Sequence, residues 1–453
     1  MSALPLQGVR ITDVCAYLAG PYAITLLADL GAEVVKIESI QRLDYLRMMG
    51  GFPTPDGYDW SVAFNGTNVN KYGITLNLNH PKGREIFKKL VQVSDIVAEN
   101  FSPRVMRNWG LSYDELKKIN PRIIMLSMPG FGTTGRWRDY VTFGPNIEML
   151  SGIPTISGYR DGPPMMNGYT SDPFASLMGA VAVMVALRHR DHTGIGQYID
   201  LAQVEAVTSF MGGPIMEYTM NRKLQSRRGN RHAYMAPHGV YRCKGDDEWV
   251  TIAVSSEKEW VRFCNAVGNP HWAEDQKFSD LLIRYQNQDE LDKLIEDWTS
   301  QHDKYEVMQI LQQAEVPSTA VVPSSELLDN SHFKQRDFFE SVTHLKTGTH
   351  VYPGFPVRFS ETPISIRMPA PTLGQHNEYI LMNLLGMTEQ QINQLAEEEI
   401  IGTKPQGWAY SAESEKEAAK EKKFQVGDLG SGILKSMPKQ EDNTAQGDEG
   451  SEQ

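Results

Sequence analysis

Val9-Arg10-Ile11-Thr12-Asp13-Val14 leads, through the turn Leu18-Ala19-Gly20-Pro21 and an apolar helical pattern over residues 21–30, to Ala32-Glu33-Val34-Val35-Lys36-Ile37. The first and last segments are apolar runs of strand length, and Gly31 stops the helix between them. A strand, a helix and a strand with short connections make a parallel βαβ unit. The pattern continues downstream. Residues 81–93 predict an amphipathic helix, 95–100 the strand after it, and 123–128 a further apolar strand that ends in the loop 129–135. The expected fold class is α/β, with a large Rossmann-like parallel-sheet domain. Its first turn carries Leu18-Ala19-Gly20-Pro21 in place of Gly-x-Gly-x-x-Gly, so a nicotinamide or flavin dinucleotide is not supported.

At 453 residues and 40% hydrophobic, the chain has material for a large core and more than one domain. The segment 222–231 is basic and polar and reads as a linker. After it, residues 240–241 and 249–254 predict a hairpin, and helical patterns run over 257–267, 288–301 and 305–314, which together predict a smaller α+β domain. A net charge of −12 argues against nucleic acid as a partner, because phosphate neutralisation needs basic surface. No run of about eighteen apolar residues is free of charges, so no membrane span is expected. The N-terminus lacks a basic segment followed by an apolar run, which makes the cytoplasm the expected location. Cys15, Cys243 and Cys264 are too scattered for a disulfide framework, and no His/Cys/Asp cluster has metal-ligand spacing, so no metal is expected. His189, His192 and His238 read as structural.

The segment with the most chemistry is Gly168-Tyr169-Thr170-Ser171-Asp172-Pro173-Phe174-Ala175-Ser176. Read as structure, Ser171 or Asp172 caps a helix whose first position suits Pro173. The helix that follows, with Leu177, Met178, Ala180, Val181, Met184, Val185, Ala186 and Leu187, has almost no polar face and is expected to be buried on most sides. A carboxylate at its mouth then lies near the protein interior, where it serves as a sheltered nucleophile as readily as a cap.

Several stretches in one order carry a resemblance. They are Leu6-Gln7-Gly8-Val9-Arg10-Ile11-Thr12-Asp13, Leu18-Ala19-Gly20-Pro21, residues 27–38, Val97-Ala98-Glu99-Asn100-Phe101, Ser171-Asp172-Pro173, residues 193–200 running into Val204-Glu205-Ala206, Ala236-Pro237-His238-Gly239-Val240-Tyr241, and Pro371-Thr372-Leu373-Gly374-Gln375-His376. Together they resemble the family III CoA-transferases up to about residue 400. The resemblance implies a return of the chain to the large domain. The division is then 1–221 for the first part of that domain, 222–335 for linker and small domain, 336–402 for the return, and 403–453 for a polar, disordered tail. It also implies an interlocked-ring dimer, either a homodimer or a heteromer with a homologous subunit.

The same resemblance implies Asp172 as the catalytic nucleophile and acyl-CoA and a carboxylic acid as substrates, with no permanently bound cofactor. CoA contacts fall on Leu18 and Ala19, on Leu76, Asn77, Leu78 and Asn79, and on Asn100, Phe101 and Ser102. Where the family often carries basic residues against the CoA phosphates, this chain has Ser39, Asn79 and Asn108. Arg42, Arg104 and Arg107 are the replacements expected from a wider set that includes Arg47, Lys71, Lys82 and Arg84. The loop Thr142-Phe143-Gly144-Pro145-Asn146-Ile147-Glu148 lacks the Tyr-Glu pair of formyl-CoA:oxalate transferases. With Met149, Met165, Met166, Met211 and Met216, it points to an acid bulkier than oxalate, aryl-substituted or branched, such as benzylsuccinate, with succinyl-CoA as donor. Oxyanion donors are sought at Gly212-Gly213, at Gly229 or in the first turn at residues 173–176. Two alternatives share the fold. An α-methylacyl-CoA racemase would need a His that the loop before Asp172 lacks. A non-catalytic homologous subunit would have no need of Asp172.

Overall fold

The computed structural model describes residues 4–49, 54–168 and 170–408, so most of the tail, from 409 onward, lies outside the described residues. Six strands, β1 (Arg10–Asp13), β2 (Glu33–Glu38), β3 (Lys71–Thr75), β4 (Ile96–Glu99), β5 (Ile124–Ser127) and β6 (Tyr198–Asp200), form one parallel sheet in the order β3-β2-β1-β4-β5-β6. The fold is α/β, with smaller antiparallel sheets beside this one. Both faces of the sheet are covered, so β1 to β5 are buried along most of their length, polar residues such as Asp13, Lys36 and Lys71 included. Ile11 pairs with Val34 and Ile96, and all three enter one core with Ala23, Ile24 and Leu27 of the helix Ala19–Asp29. One residue on, Val35 and Val97 enter the opposite core with Ile86, Phe87 and Leu90 of the helix Pro81–Gln92. Each large apolar side chain so buried contributes about 1.5–3 kcal/mol.

The helix Ser171–Thr193 departs from its expected burial. Its residues Ala175, Gly179, Val183 and Ala186 pack inward, and a Cβ on Gly179 would stand 3.0 Å from Met128 Sδ. Leu187 joins them in the core, but the opposite face is apolar too and open, with Val181 59% and Val185 62% exposed. Ala175, Gly179 and Ala186 let the helix approach the sheet closely, and burial follows the helix face rather than the residue type, since Val183 is buried while Val181 and Val185 are not. The helix is long and apolar enough, by length and composition, to cross a membrane, yet its inner face belongs to the sheet's core.

Strands β7 (His238–Arg242), β8 (Trp249–Ala253) and β9 (Ser318–Ala320) make a three-stranded antiparallel sheet in that order, around a separate core of Val250, Ile252, Phe263, Leu291 and Val307. A hairpin of β10 (Phe339–His344) and β11 (Gly348–Pro353) packs Val342 and Tyr352 with Val69. The chain then runs back along β3. Asn377 Oδ1 accepts the Thr75 N–H at 2.8 Å, and Ile400 O accepts the Asn77 N–H at 2.8 Å.

Between the carboxyl end of β1 and the amino end of β3 the core is charged. Lys71 Nζ lies 3.0 Å from Asp13 Oδ2 and donates to Pro21 O and Asn68 Oδ1, while Lys36 Nζ donates to Cys15 O at 2.8 Å and lies 3.6 Å from Asp44 Oδ2. All four side chains are buried. Burial alone would raise the Asp13 carboxyl; Lys71 and Lys36 outweigh it and hold the group below the usual carboxylate range. Removing one partner leaves an unpaired buried charge. Lys71→Met is expected to lower unfolding free energy by about 3–5 kcal/mol, and Lys71→Met with Asp13→Leu to recover part of it. Urea denaturation of the three chains checks this, and a loss under about 1 kcal/mol in the single variant would contradict it.

Candidate active site

In a doubly wound sheet the strand order reverses between two neighbouring strands, and a crevice opens outside their carboxyl ends. Here the reversal lies between β1 and β4, and beside it sits a cleft of about 610 Å³. Ala16 and Tyr17 follow β1 into its lining, Ser39 and Arg42 follow β2, and Phe101 follows β4. The residues predicted to meet CoA divide into four groups. Leu76, Asn77, Leu78, Asn79 and Phe101 line the cleft. Leu18 and Ala19 come directly after Tyr17 and start the helix Ala19–Asp29. Asn100 is committed to the turn, accepting the Ala16 N–H at 2.8 Å and donating to Ala16 O at 2.7 Å.

Ser102 and Arg104 stand outside the cleft lining, as does Arg107. Ser39, Asn79 and Asn108 all line it, so the three places where basic residues were missed do face the cleft. Its cations are Arg42, which was expected, and Arg84, which was not singled out. Arg84 Nη1 donates to Leu78 O at 3.0 Å and Asn79 O at 2.9 Å, an arrangement with no sequence signal beyond the spacing of five residues. The other basic candidates are engaged. Arg47 is buried against Glu38 and Asp59, each at 2.7 Å, Lys71 pairs with Asp13, and Lys82 with Glu398 at 2.5 Å. Cys15 also lines the cleft, where burial first and Asp13 second push its thiol far up, so it is not a thiolate nucleophile.

Asp172 is the second residue of the helix Ser171–Thr193, and Pro173 the third, two places later than its expected position. No side chain caps this helix start, and the Asp172 carboxylate accepts no hydrogen bond among the described residues. Burial alone pushes its carboxyl up to about 6. The group is held by its backbone. Ser176 Oγ lies 2.7 Å from Ala19 O and 2.7 Å from Asp172 O, tying the helix start to the turn beside the cleft. Ser171 Oγ donates to Gly144 O at 3.0 Å.

The segment before the helix is fixed from two sides. The buried Glu148 carboxylate accepts the N–H groups of Asn167 and Gly168 at 3.1 and 3.0 Å, and Arg227 donates to Tyr159 O and Gly162 O. Between these anchors Met165 and Met166 are exposed, as are Phe143 and Met216, whereas Met211 is buried. Of the expected oxyanion donors, Gly229 gives its N–H to Gly158 O at 2.8 Å, and Gly212-Gly213 open the helix Gly212–Asn221. The first turn of Ser171–Thr193 is left beside the carboxylate, where a helix start favours negative charge.

The fold defines a doubly wound α/β protein with a nucleotide-sized crevice at its switch point and a sheltered carboxylate beside it. Residues 6–377 match CoA-transferase family III, and the chain belongs to that family of enzymes. It is 35% identical over 404 residues to the succinyl-CoA–L-malate CoA-transferase beta subunit of Chloroflexus aurantiacus, covering 88% of this chain and 99% of that one. It is 34% identical over 398 residues to the succinyl-CoA–D-citramalate CoA-transferase of the same organism, covering 88% of this chain and 98% of that relative. Among solved structures, a CaiB/BaiF family protein from Brucella suis superposes with a TM-score of 0.78 at 28% identity, over 84% of this chain and 100% of that one.

Gly144 is the sharpest local constraint on the site. A Cβ there would stand 2.7 Å from Asp172 Oδ2 and 2.9 Å from Ser171 Oγ, so any side chain displaces the carboxylate. Gly144→Ala is expected to lower kcat about a hundredfold with little change in melting temperature, because a misplacement of about an ångström has that effect on a reacting group. Steady-state kinetics beside thermal unfolding checks it, and wild-type kcat in the variant would mean the carboxylate is not the reacting group.

Proposed function

We propose that this chain transfers CoA from succinyl-CoA to a second carboxylic acid through covalent intermediates on Asp172. The observation that carries the reading is a carboxylate lodged at a helix start, left uncapped, and raised to about 6 by burial. An Asx cap would hold hydrogen bonds from the first turn; this one is free to react. One carboxylate oxygen attacks the thioester carbonyl of the donor, the C–S bond breaks, and CoA thiolate leaves a mixed anhydride on Asp172. The thiolate then attacks the aspartyl carbonyl, the anhydride C–O bond breaks, and the donor acid departs as carboxylate. The acceptor carboxylate attacks the resulting aspartyl thioester, expelling thiolate. The thiolate takes the acceptor acyl group and frees Asp172. Each step conserves the activated bond, and backbone N–H groups of the first helical turn would receive the oxyanions.

Relatives named for succinyl-CoA with malate and citramalate support succinyl-CoA as donor and a dicarboxylic acid as acceptor. Gly144 puts no side chain against Asp172, Phe143 directly precedes it, and Met165 and Met166 are exposed in the segment that leads to the helix, which supports an acceptor larger than oxalate, branched or aryl-substituted as in benzylsuccinate. We also propose that the working form is a dimer with a copy or a homologous subunit. Leu26, Leu30, Leu177, Val181, Met184 and Val185 line an almost wholly apolar hollow of about 430 Å³ on the open face of the helix, and the malate relative is itself a beta subunit.

Intact mass spectrometry after incubation with succinyl-CoA and hydroxylamine is expected to find a hydroxamate on wild type and none on Asp172→Ala. Equal labelling of both chains, or of neither despite turnover, would remove Asp172 from the nucleophile's role. The pH profile follows from the same group. A carboxylate must be ionised to attack, so kcat/KM is expected to rise through about pH 6 and level off above it. Because the folded value lies above the ordinary 3.8, Asp172 lowers stability fully above about pH 6, and the effect vanishes below about 4. Asp172→Asn is therefore expected to be inactive yet more stable at neutral pH, by up to about 3 kcal/mol, with no advantage at pH 3.5. Chemical denaturation at the two pH values checks the sign.

A further inference from the structure

We infer that Tyr17 selects which acyl groups reach Asp172, an inference that rests on the CoA-transfer reading above. The first observation is the backbone. Tyr17 has φ +63°, in the left-handed region that side chains other than glycine rarely adopt. The surroundings fix it there from several directions. Asp44 Oδ1 accepts the Tyr17 N–H at 3.1 Å, and Asn100 holds both the N–H and the carbonyl of Ala16. Asp13 Oδ1 accepts the Cys15 N–H at 2.9 Å, and Lys36 Nζ donates to Cys15 O at 2.8 Å. A glycine would take this conformation without steric cost, so what a tyrosine contributes here is its ring.

The second observation is where that ring lies. Tyr17 lines the cleft, stacks on Tyr45 at 28° with ring centres 5.5 Å apart, and meets Phe143 at 5.5 Å and 60°. Phe143 directly precedes Gly144, whose missing side chain is the space beside Asp172 Oδ2. One ring thus belongs to the cleft on one side and, through Phe143, to the wall of the carboxylate on the other. A thioester whose nucleotide end fills the cleft must pass its acyl carbon along this ring. Dicarboxylic acyl groups with a short main chain, branched or aryl-substituted ones included, are expected to clear the ring; a long straight chain would have to displace it from its packing on Tyr45 and Phe143. Tyr17 is therefore a specificity-determining residue. Its position as the residue between a strand and a helix start gave no sign of this in the sequence.

The test compares kcat/KM for succinyl-CoA with that for octanoyl-CoA in wild type, Tyr17→Phe and Tyr17→Gly. Tyr17→Gly is expected to lower this ratio about tenfold or more, chiefly through a lower KM for octanoyl-CoA, while remaining folded because glycine suits the left-handed backbone. Tyr17→Phe keeps the ring and is expected to keep the ratio. Asparagine also tolerates this conformation, so Tyr17→Asn repeats the measurement if the glycine chain misfolds. An unchanged ratio in a folded, active variant without the ring would overturn the inference, as would a Tyr17→Phe ratio that falls as far as that of Tyr17→Gly. If wild type transfers CoA from no donor at all, the transferase reading fails and takes this inference with it.

Discussion

Four buried charges beneath one turn set the geometry of everything near the cleft. Asp13 at the end of β1, Lys36 within β2, Lys71 at the start of β3 and Asp44 in the loop after β2 are removed from water. Their mutual attraction offsets desolvation only in part. Burial still pushes the Asp44 carboxyl up and Lys71 down, and Asp44 Oδ2 faces Lys36 at 3.6 Å with no hydrogen bond among the described residues. The geometry therefore leans on the remaining hydrogen-bonding capacity. Most of it is satisfied by backbone. Lys71 bonds Pro21 O, Lys36 bonds Cys15 O, Asp13 accepts from Cys15 N–H, and Asp44 accepts from the N–H groups of Tyr17 and Leu46. The ion pairs are thus built into the turn that begins the helix Ala19–Asp29. Exchanging them for apolar side chains would fill the volume while leaving those backbone groups without partners.

From that turn the constraint passes to the carboxylate. Ser176 lies within hydrogen-bonding distance of both Ala19 O and Asp172 O, so the start of the helix Ser171–Thr193 is registered against the start of Ala19–Asp29. Glu148 and Arg227 hold the preceding segment by its N–H groups and carbonyls, respectively. The Asp172 side chain itself is held by none of these. Its position is set by the backbone on one side and by the absence of a Gly144 side chain on the other, which leaves its oxygens available.

How much of this was legible follows from what each residue's neighbours are. Four of the six strands, β1, β2, β4 and β5, were readable from strand-length segments joined by short connections, with Val34 and Val35 turned to opposite cores; β3 (Lys71–Thr75) and the three-residue β6 (Tyr198–Asp200) carry no apolar run and went unread. The helix Ser171–Thr193 was misjudged because its apolar pattern has no polar face, and a single sequence does not distinguish a side covered by its own sheet from one left open as Val181 and Val185 are. Arg42 and Arg47 are five residues apart and alike in type, and the sequence favoured Arg42 without a physical sign that told them apart. One faces the cleft; the other is folded inward because Glu38 and Asp59 happen to converge there. Asp172 was legible from its motif, but its freedom from the cap was not, since Asp in the first turn of a helix reads the same whether or not its oxygens are engaged. The left-handed Tyr17 had no signal at all, because a tyrosine carries no sequence mark of a conformation that distant side chains impose.

Burial gives the Asp172 carboxylate a property that exposure would not. An ordinary aspartate is almost wholly ionised at neutral pH and correspondingly weak as a nucleophile, because nucleophilicity rises with basicity. Pushing the group to about 6 makes it more basic while leaving the greater part ionised at pH 7. A much larger shift would protonate it and remove the attacking lone pair. Further hydrogen bonds to the carboxylate would reverse the shift, stabilising the charge and blunting the attack. Desolvation without hydrogen-bonded partners therefore serves a covalent role better than either a capped aspartate or a fully enclosed one, and the same dry surroundings limit hydrolysis of any anhydride formed there.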